Sequence, residues 1–261
     1  MNICIDVGNS TIGIGAFKEN ELIERMVINT DPRFTEDEFY QLFKKPFAFV
    51  SKNKMNIDNI IFSSVVPQVN VALLASLEKL TNVKPILIGP GTKTGLSIRV
   101  DNPLEIGNDL IADLVGAKEK YGYPTIIADL GTASKLLLLD KTGTFVSCLI
   151  MPGLTLSAES LSNKAALLPE VSLIAPESIM AKNTLGAMNA GIVYGHADMI
   201  LGLVRRYEKE LGYPCKHILT GGGATYIKDI VKDDFIYDKN LNLDGLNIII
   251  NKNSKERENG K

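Results

Sequence analysis

The same short pattern occurs twice in this chain, about half a chain apart. An apolar run leads into Asp, a glycine turn and hydroxyl-bearing residues: Asp6-Val7-Gly8-Asn9-Ser10-Thr11 and Asp129-Leu130-Gly131-Thr132-Ala133-Ser134. The apolar runs predict buried strands. A strand that ends in Asp before such a turn suits a metal-bound polyphosphate, because the carboxylate meets Mg²⁺ and glycine lets backbone N–H groups approach phosphate oxygens. One copy alone is more typical of an ordinary hairpin turn, whereas two copies in matched contexts favour phosphate binding.

Each copy opens a similar succession of predicted elements. Three strands are predicted over 2–6, 11–17 and 21–28, and three more over 125–129, 134–139 and 144–150. The capping-box pair of Thr35 and Glu38 predicts a helix over 35–45. This layout resembles the actin/hexokinase/sugar-kinase superfamily, an α/β fold of two ribonuclease-H-like domains with duplicated βββαβα halves. We expect domains at 1–118 and 119–251, then a polar tail over 252–261.

Charge and composition exclude several classes of function. The net charge of −2 provides no basic excess for nucleic acid or a membrane surface. No apolar run reaches the length of a membrane span, and the N-terminus enters a strand without a leader peptide. The three cysteines form no CxxC pair and suit a reducing compartment, so a cytoplasmic protein is expected. With two histidines in the chain, a His-based metal site is not expected.

Two further stretches carry candidate chemistry. Gly221, Gly222 and Gly223 follow a predicted strand over 216–220, and a flat glycine backbone there could support adenine and ribose. Asp109 opens a helix one turn before Asp113. An acid in the first turn of a helix complements the helix dipole, so Asp109 is either a capping charge or a general base.

A long helix is predicted from Thr184 to about Leu211. It carries small residues at spacings that let another helix approach closely, namely Gly186, Ala187, Ala190, Gly191 and Gly195. Packing within the protein and a subunit interface are both compatible with this pattern. A last helix is predicted over 241–251.

Taken together, these stretches resemble the type III pantothenate kinase family. The matching segments are Asp-Val-Gly-Asn-Ser-Thr at 6–11, Thr-Asp-Pro at 30–32, Ser-Ser-Val-Val-Pro at 63–67, Gly-Pro-Gly-Thr-Lys-Thr-Gly-Leu at 89–96, Asp-Asn-Pro at 101–103, Gly-x-Asp at 107–109, Asp-x-Gly-Thr-Ala at 129–133, Pro-Gly-Leu at 152–154, Asn-Thr at 183–184, Gly-Ile-Val-Tyr-Gly at 191–195 and Thr-Gly-Gly at 220–222. They run collinearly, so the resemblance is to the family as well as to the superfamily fold.

The resemblance implies an ATP-dependent kinase that phosphorylates the 4′-hydroxyl of pantothenate, the first step of coenzyme A biosynthesis. It implies a homodimer that uses Mg²⁺ and a monovalent cation, K⁺ or NH₄⁺. Asp109 corresponds to the proton acceptor, and Asp6 and Asp129 to the cation-binding carboxylates. The implied ATP contacts are Asp6, Val7, Gly8, Asn9, Ser10, Thr11, Ile12, Gly13, Thr132, Gly221 and Gly222. The implied substrate contacts are Val100, Gly107, Asn108, Asp109, Leu110 and Thr184.

This chain departs from the family pattern at three positions. Leu110 stands where the family usually has Arg, and Val100 where it usually has Tyr. After Gly-Thr-Ala the family commonly has Thr-Thr or similar and an early Asp, whereas this chain has Ser134-Lys135-Leu136-Leu137. A lost charge-assisted hydrogen bond weakens binding about 10- to 150-fold. The departures therefore favour altered substrate binding over lost ATP chemistry. The alternatives to pantothenate kinase are a kinase of another small alcohol and a nucleotide-binding protein with a regulatory accessory role.

Lys135 leaves two possibilities. Its ammonium either replaces the monovalent cation near Asp129 or is a solvated charge on a strand.

Overall fold

The structure, a computed structural model, describes residues 1–52 and 56–259. The strands in these residues are β1 (Asn2–Val7), β2 (Thr11–Lys18), β3 (Glu21–Asn29), β4 (Asn59–Ser64), β5 (Ile86–Leu87), β6 (Ser97–Ile98), β7 (Thr125–Leu130), β8 (Ala133–Leu139), β9 (Thr144–Pro152), β10 (Lys216–Thr220) and β11 (Ile236–Tyr237). The helices are α1 (Glu36–Lys52), α2 (Pro67–Thr81), α3 (Asn108–Tyr121), α4 (Leu154–Lys164), α5 (Thr184–Leu211), α6 (Ala224–Ile227) and α7 (Leu241–Asn259), with a 3₁₀ turn at Pro103–Glu105 before α3.

The strands form two sheets with the same underlying order. The first is β3-β2-β1-β4-β5 and the second is β11-β10-β7-β8-β9-β6. In each, three consecutive strands pair antiparallel and two later strands add in parallel beside the first of the three. β6 extends the second sheet by pairing parallel with β9. The predicted duplication of a βββ unit followed by α and β elements is therefore confirmed.

The chain divides into two compact units. The first comprises Met1–Leu96, Asn102–Gly116 and Asn240–Lys261, and the second comprises Ser97–Asp101 and Ala117–Lys239. This division differs from the sequence-based one, because the last helix groups with the first unit. The domain limits at 1–118 and 119–251 remain a prediction about units of folding.

The core of the first unit lies beneath α1 and α2. Phe39 and Phe43 of α1 stack with ring centroids 5.9 Å apart and are fully buried. The predicted capping box begins this helix: the Thr35 N–H donates to Glu38 Oε2 over 2.8 Å, and the Glu38 N–H points back to Thr35 Oγ1 over 3.4 Å. The helix extends beyond the predicted residue 45, to Lys52.

Alternate residues of β7 and β8 build the core of the second unit. Ile126, Ala128, Leu136 and Leu138 pack in one buried cluster with apolar residues of α5. Because side chains alternate across a strand, the odd-numbered residues of β7 and β8 face the other side of the sheet. Asp129 belongs to that other face.

The C-terminal helix is longer than predicted. The expectation that this helix ends at residue 251 is wrong, since α7 continues to Asn259. The polar tail over 252–261 stays a prediction. Asparagine side chains hold it to β1: Asn2 Nδ2 donates to Asn247 Oδ1 over 2.9 Å and to Asn251 Oδ1 over 2.7 Å. Asn247 in turn donates to the Glu19 carbonyl over 2.8 Å. These long-range contacts hold the middle of α7 against β1.

None of the helices in the described residues is both long enough and apolar enough to cross a membrane.

Candidate functional site

The first Asp-Gly turn joins β1 to β2 and is fixed from the side by Thr30. Within the turn, the Gly8 N–H donates to the Thr11 carbonyl over 3.0 Å. Thr30 Oγ1 donates to the Gly8 carbonyl over 2.7 Å, and the Thr30 N–H to the Ser10 carbonyl over 3.0 Å. Asn9, Ser10 and Thr11 form the exposed tip. An exposed turn with amide and hydroxyl side chains suits a phosphate-bearing ligand.

Asp6 lies at the end of β1, directly opposite Ser63 of β4 in the parallel pairing. The buried Ser63 hydroxyl donates to Asp6 Oδ1 over 2.5 Å. This hydrogen bond orients the carboxylate. The neighbouring Val7 and Ile12 side chains are fully buried in the core of the unit. The backbones of Val7 and Ile12 pair with each other, and Gly13 pairs with Asp6 and Val27, so ATP contacts at these three residues stay a prediction.

Asp109 begins α3 with its carboxylate folded back over Gly107. A Cβ built on Gly107 would lie 2.4 Å from Asp109 Oδ1, so a side chain at position 107 would displace the carboxylate. Asn242 of α7 donates from Nδ2 to the Asp109 carbonyl over 3.0 Å and secures the start of the helix. Asn108 and Asp109 are half-buried, whereas Leu110 is 7% exposed and belongs to the core. Glycine at position 107 thus leaves room for the Asp109 carboxylate in this orientation.

The second Asp-Gly turn lies beside the glycine-rich turn. Asp129 of β7 is opposite Thr220 of β10 in the parallel register, so the two turns leave the sheet at the same edge. The Gly223 N–H donates to the Leu130 carbonyl over 2.7 Å. A Cβ on Gly221, whose φ is +87°, would lie 2.5 Å from the Leu130 nitrogen. The two segments are in backbone-to-backbone contact, which requires glycine.

Gly153 packs against the backbone of the second Asp-Gly turn. Its N–H donates to the Thr132 carbonyl over 3.1 Å, and a Cβ there would lie 2.4 Å from the same oxygen. Gly131, Thr132 and Gly222 remain exposed. The second unit thus presents a surface of hydroxyl and glycine backbone, flanked by the Asp129 carboxylate, that suits a nucleotide.

Asp129 is ion-paired with Lys135. The two residues are direct partners in the β7–β8 hairpin, and Lys135 Nζ lies 3.1 Å from Asp129 Oδ2. Their side chains are 18% and 12% exposed for Lys and Asp. Lys135 is therefore not the solvated charge that one interpretation of the sequence allowed. A carboxylate already matched by an ammonium is a poor donor set for K⁺ or NH₄⁺, so these residues do not fit the implied monovalent cation.

The residue before Lys135 on β8 points to the opposite face. Ser134 Oγ lies 2.8 Å from His196 Nε2 of α5, and both groups are buried. Burial lowers the pKa of His196, which keeps the imidazole neutral. This pair joins β8 to α5 within the core, and its burial argues against a role in contacting a ligand.

The predicted substrate contacts belong to both units. Gly107–Leu110 lies in the first unit, whereas Val100 and Thr184 lie in the second. Thr184 is the first residue of α5, whose preceding residue Asn183 accepts a hydrogen bond from the Gly186 N–H over 2.8 Å. Each unit places its own residues, and Leu110 contributes an apolar side chain to the core where the family usually has a guanidinium.

For a divalent metal, the described residues offer single carboxylates and not a cluster. In residues 1–52 and 56–259, no group of three or more His, Cys, Asp or Glu side chains could hold an ion. Mg²⁺ is commonly bound through one or two carboxylates together with waters and substrate phosphates. Asp6, oriented by Ser63 at the edge of the first phosphate-type turn, fits that mode.

A model of the type III pantothenate kinase family matches residues 2–206, which include both Asp-Gly turns, Gly107 and Asp109. The chain belongs to the type III pantothenate kinase family. Kinase-fold neighbours agree with the superfamily assignment, and the predicted fold class is confirmed. Membership supports an ATP-dependent kinase that uses a divalent metal.

Two solved structures illustrate the shared fold. The activator of 2-hydroxyisocaproyl-CoA dehydratase from Clostridium difficile, with bound ADPNP, is 11% identical, covers 100% of this chain and 97% of its own, and has a TM-score of 0.56. The ROK hexokinase from Thermus thermophilus is 14% identical, covers 97% of this chain and 99% of its own, and has a TM-score of 0.54. At these identities the likeness concerns the fold alone.

Three residues of the site were given no role from the sequence. Thr30, Ser63 and Gly153 lie in segments that carry the family resemblance, but their contacts depend on strand pairing across the sheet. A search for hydroxyl or glycine residues at the ends of strands next to the Asp-bearing strands would have found Ser63.

The two adjacent glycines after β10 provide a matched pair of substitutions. Gly221→Ala introduces a backbone clash at positive φ and should lower the free energy of unfolding by about 2 kcal/mol or more. A Cβ at Gly222 meets nothing within 4 Å, so Gly222→Ala should leave unfolding unchanged yet weaken nucleotide binding. Thermal unfolding and calorimetric titration with ATP distinguish these outcomes. Equal unfolding temperatures for the two variants would contradict the packing described.

Proposed function

We propose that this protein transfers the γ-phosphoryl group of ATP to the 4′-hydroxyl of pantothenate, the first step of coenzyme A biosynthesis. The family match across both Asp-Gly turns and the Gly-x-Asp stretch carries the proposal. Phosphoryl transfer needs held phosphates, neutralised charge and an aligned acceptor hydroxyl. The described residues supply candidates for each of these requirements.

Asp109 is proposed as the proton acceptor. Its carboxylate packs over Gly107 at the start of a helix, and Asn242 secures the same residue through its carbonyl. A general base must be held within hydrogen-bonding reach of the hydroxyl that it deprotonates. The half-buried position of Asp109 and the fixed start of its helix support this role.

Phosphate binding is proposed for the exposed tip Asn9–Thr11 and for Thr132. Adenosine is proposed to lie against the glycine-rich backbone at Gly221 and Gly222. Mg²⁺ is assigned to Asp6 together with ATP phosphates; bound there, it would neutralise charge on the transferred group. The hydrogen bond from Ser63 supports this assignment because it fixes the carboxylate at the end of β1.

A homodimer is proposed on two observations in the second unit. On α5, Ala187, Gly191 and Gly195 are exposed at intervals of one turn, whereas Ala190 is buried. Large apolar side chains are also exposed nearby in the chain, namely Ile150, Leu167, Ile174, Ile179, Met180 and Leu185. Exposed apolar surface of this kind marks interaction sites, and the mass in solution by light scattering tests the dimer.

A cytoplasmic location is proposed as well. The three cysteines, none of which forms a disulfide, support it.

A second candidate is a kinase of a different small alcohol, favoured by the burial of Leu110. Without a guanidinium at this position, the protein lacks a bidentate hydrogen-bonding partner for the carboxylate of the acceptor. A nucleotide-binding protein with a regulatory role is the non-enzymatic alternative.

The deciding experiment is incubation of the purified protein with MgATP and pantothenate, followed by mass spectrometry for phosphopantothenate. Panthenol, which has the same hydroxyl but no carboxylate, serves as the matched acceptor. The proposal predicts ATP-dependent phosphopantothenate. Faster phosphorylation of panthenol would favour the second candidate, and bound ATP without any phosphorylated product would favour the regulatory one.

A further inference from the structure

The ion pair of Asp129 and Lys135 is built into the hairpin that carries the second Asp-Gly turn. The two residues are cross-strand partners of β7 and β8, and directly opposed side chains on one face of a sheet lie close together. Wherever this hairpin forms in the observed register, the ammonium is brought to the carboxylate. The backbone pairing therefore places the two side chains within reach of each other.

Burial makes the Lys135 ammonium a fixed counter-charge for the Asp129 carboxylate. Both side chains are largely removed from solvent, and Nζ and Oδ2 are 3.1 Å apart. A buried carboxylate without a counter-charge is costly, and a pair in low dielectric is screened little by salt. A second cation placed against the same carboxylate would lie within a few ångströms of the ammonium and be repelled by it.

We propose that Lys135 takes the place of a dissociable monovalent cation beside Asp129, so that nucleotide binding and turnover do not depend on K⁺ or NH₄⁺. An alkyl ammonium is a compact charge with three hydrogen-bond donors, similar in size and chemistry to NH₄⁺. Lys135 lies on the hairpin whose turn contains the exposed Gly131 and Thr132, the phosphate-type turn of the second unit. This inference deepens the proposed function and rests on it for the identity of the nucleotide.

The mutational test uses Lys135→Met, which keeps the unbranched chain as far as its fourth atom and removes the charge, and Lys135→Arg, which keeps the charge. Lys232→Met, in an exposed turn of the same unit, is the matched control. Calorimetry measures MgATP affinity in KCl, NH₄Cl, NaCl and choline chloride at one ionic strength. Thermal unfolding is followed in the same four salts.

For the unmodified protein we expect MgATP affinities that agree within about twofold in all four salts. For Lys135→Met we expect the MgATP affinity to be about tenfold or more weaker in choline and Na⁺, because a charge-assisted contact is lost. K⁺ or NH₄⁺ should largely restore this affinity. K⁺ should then also raise the unfolding temperature of this variant in a saturable way. Lys232→Met should behave as the unmodified protein.

The proposal is overturned if the unmodified protein binds MgATP tenfold more tightly in K⁺ than in choline. It is equally overturned if Lys135→Met loses affinity that no cation restores, because Lys135 would then have a structural role. If Lys135→Met does not fold, the MgATP affinities of the unmodified protein and of Lys135→Arg in the four salts test the proposal instead. A tenfold tighter binding in K⁺ than in choline overturns it there too. Cation-independent MgATP binding without phosphopantothenate would refute the proposed acceptor and leave this inference standing.

Discussion

Replacing Asp109 with Asn is expected to lower turnover of ATP with pantothenate by about 10²- to 10⁴-fold, the usual contribution of a general base. Asn has the same shape and can pack over Gly107 as the carboxylate does, but it cannot accept the proton of the acceptor hydroxyl. MgATP affinity and unfolding temperature should therefore stay close to those of the unmodified protein. Steady-state kinetics and calorimetry on one preparation measure both quantities.

Asp233→Asn is the matched control for this substitution. Asp233 lies in an exposed turn of the second unit, so its replacement makes the same chemical change away from the proposed site. It should leave turnover unchanged. Full activity in Asp109→Asn would remove Asp109 from the mechanism and leave the helix-capping role that an acid in the first turn also serves.

The largest expected effect on stability comes from Gly245→Ala. A Cβ on Gly245 would lie 1.9 Å from the Ala112 carbonyl oxygen, so α7 and α3 touch backbone to backbone. Gly116 makes the reciprocal approach, with its Cβ position 2.5 Å from the Leu241 carbonyl oxygen. Overpacking commonly lowers the free energy of unfolding by about 1–3 kcal/mol. Because the neighbouring atom is a rigid backbone carbonyl, we expect the loss for Gly245→Ala to lie at or above the upper end of this range.

Activity should fall together with stability in Gly245→Ala. The clash displaces α3, whose first turn carries Asp109, and small misplacements of a catalytic group reduce the rate strongly. Chemical denaturation gives the change in stability, and steady-state kinetics gives the change in rate. An unchanged denaturation midpoint for Gly245→Ala would refute the contact between the helices.

Gly202→Ala is the matched control, because it makes the same substitution within helix α5. A Cβ on Gly202 would meet nothing within 4 Å. Alanine is favoured over glycine in a helix interior by about 1 kcal/mol, so this variant should be as stable as the unmodified protein or slightly more stable. A loss of stability in both variants would show that the effect does not come from the contact at Ala112.

Much of the fold could be predicted from local sequence patterns. The strands of both βββ units lie where alternation and apolar runs predicted them, and α5 and β10 have the predicted limits. The capping box at Thr35 and Glu38 forms as its spacing predicts. These features depend on residues a few positions apart, and local propensity and periodicity describe such short-range interactions well.

The candidate site could be predicted only as a set of segments. Motif spacing identified Asp6, Asp109 and Asp129 as the acids to examine, and the family match includes all three. Their surroundings could not be predicted from the same patterns. The Ser63 hydroxyl reaches Asp6 because the register of β1 with β4 places the two residues side by side. The register of two parallel strands that are far apart in sequence is set by tertiary packing.

By itself, the sequence determined the duplicated α/β architecture, the positions of the two phosphate-type turns and the family. The tertiary structure decided the length of α7 and its place in the first unit, the backbone contact at Gly245, and the pairing of Lys135 with Asp129. The physical reason is the distance along the chain. Local propensities act over a few residues, whereas helix contacts, strand registers and buried ion pairs depend on which distant surfaces pack together.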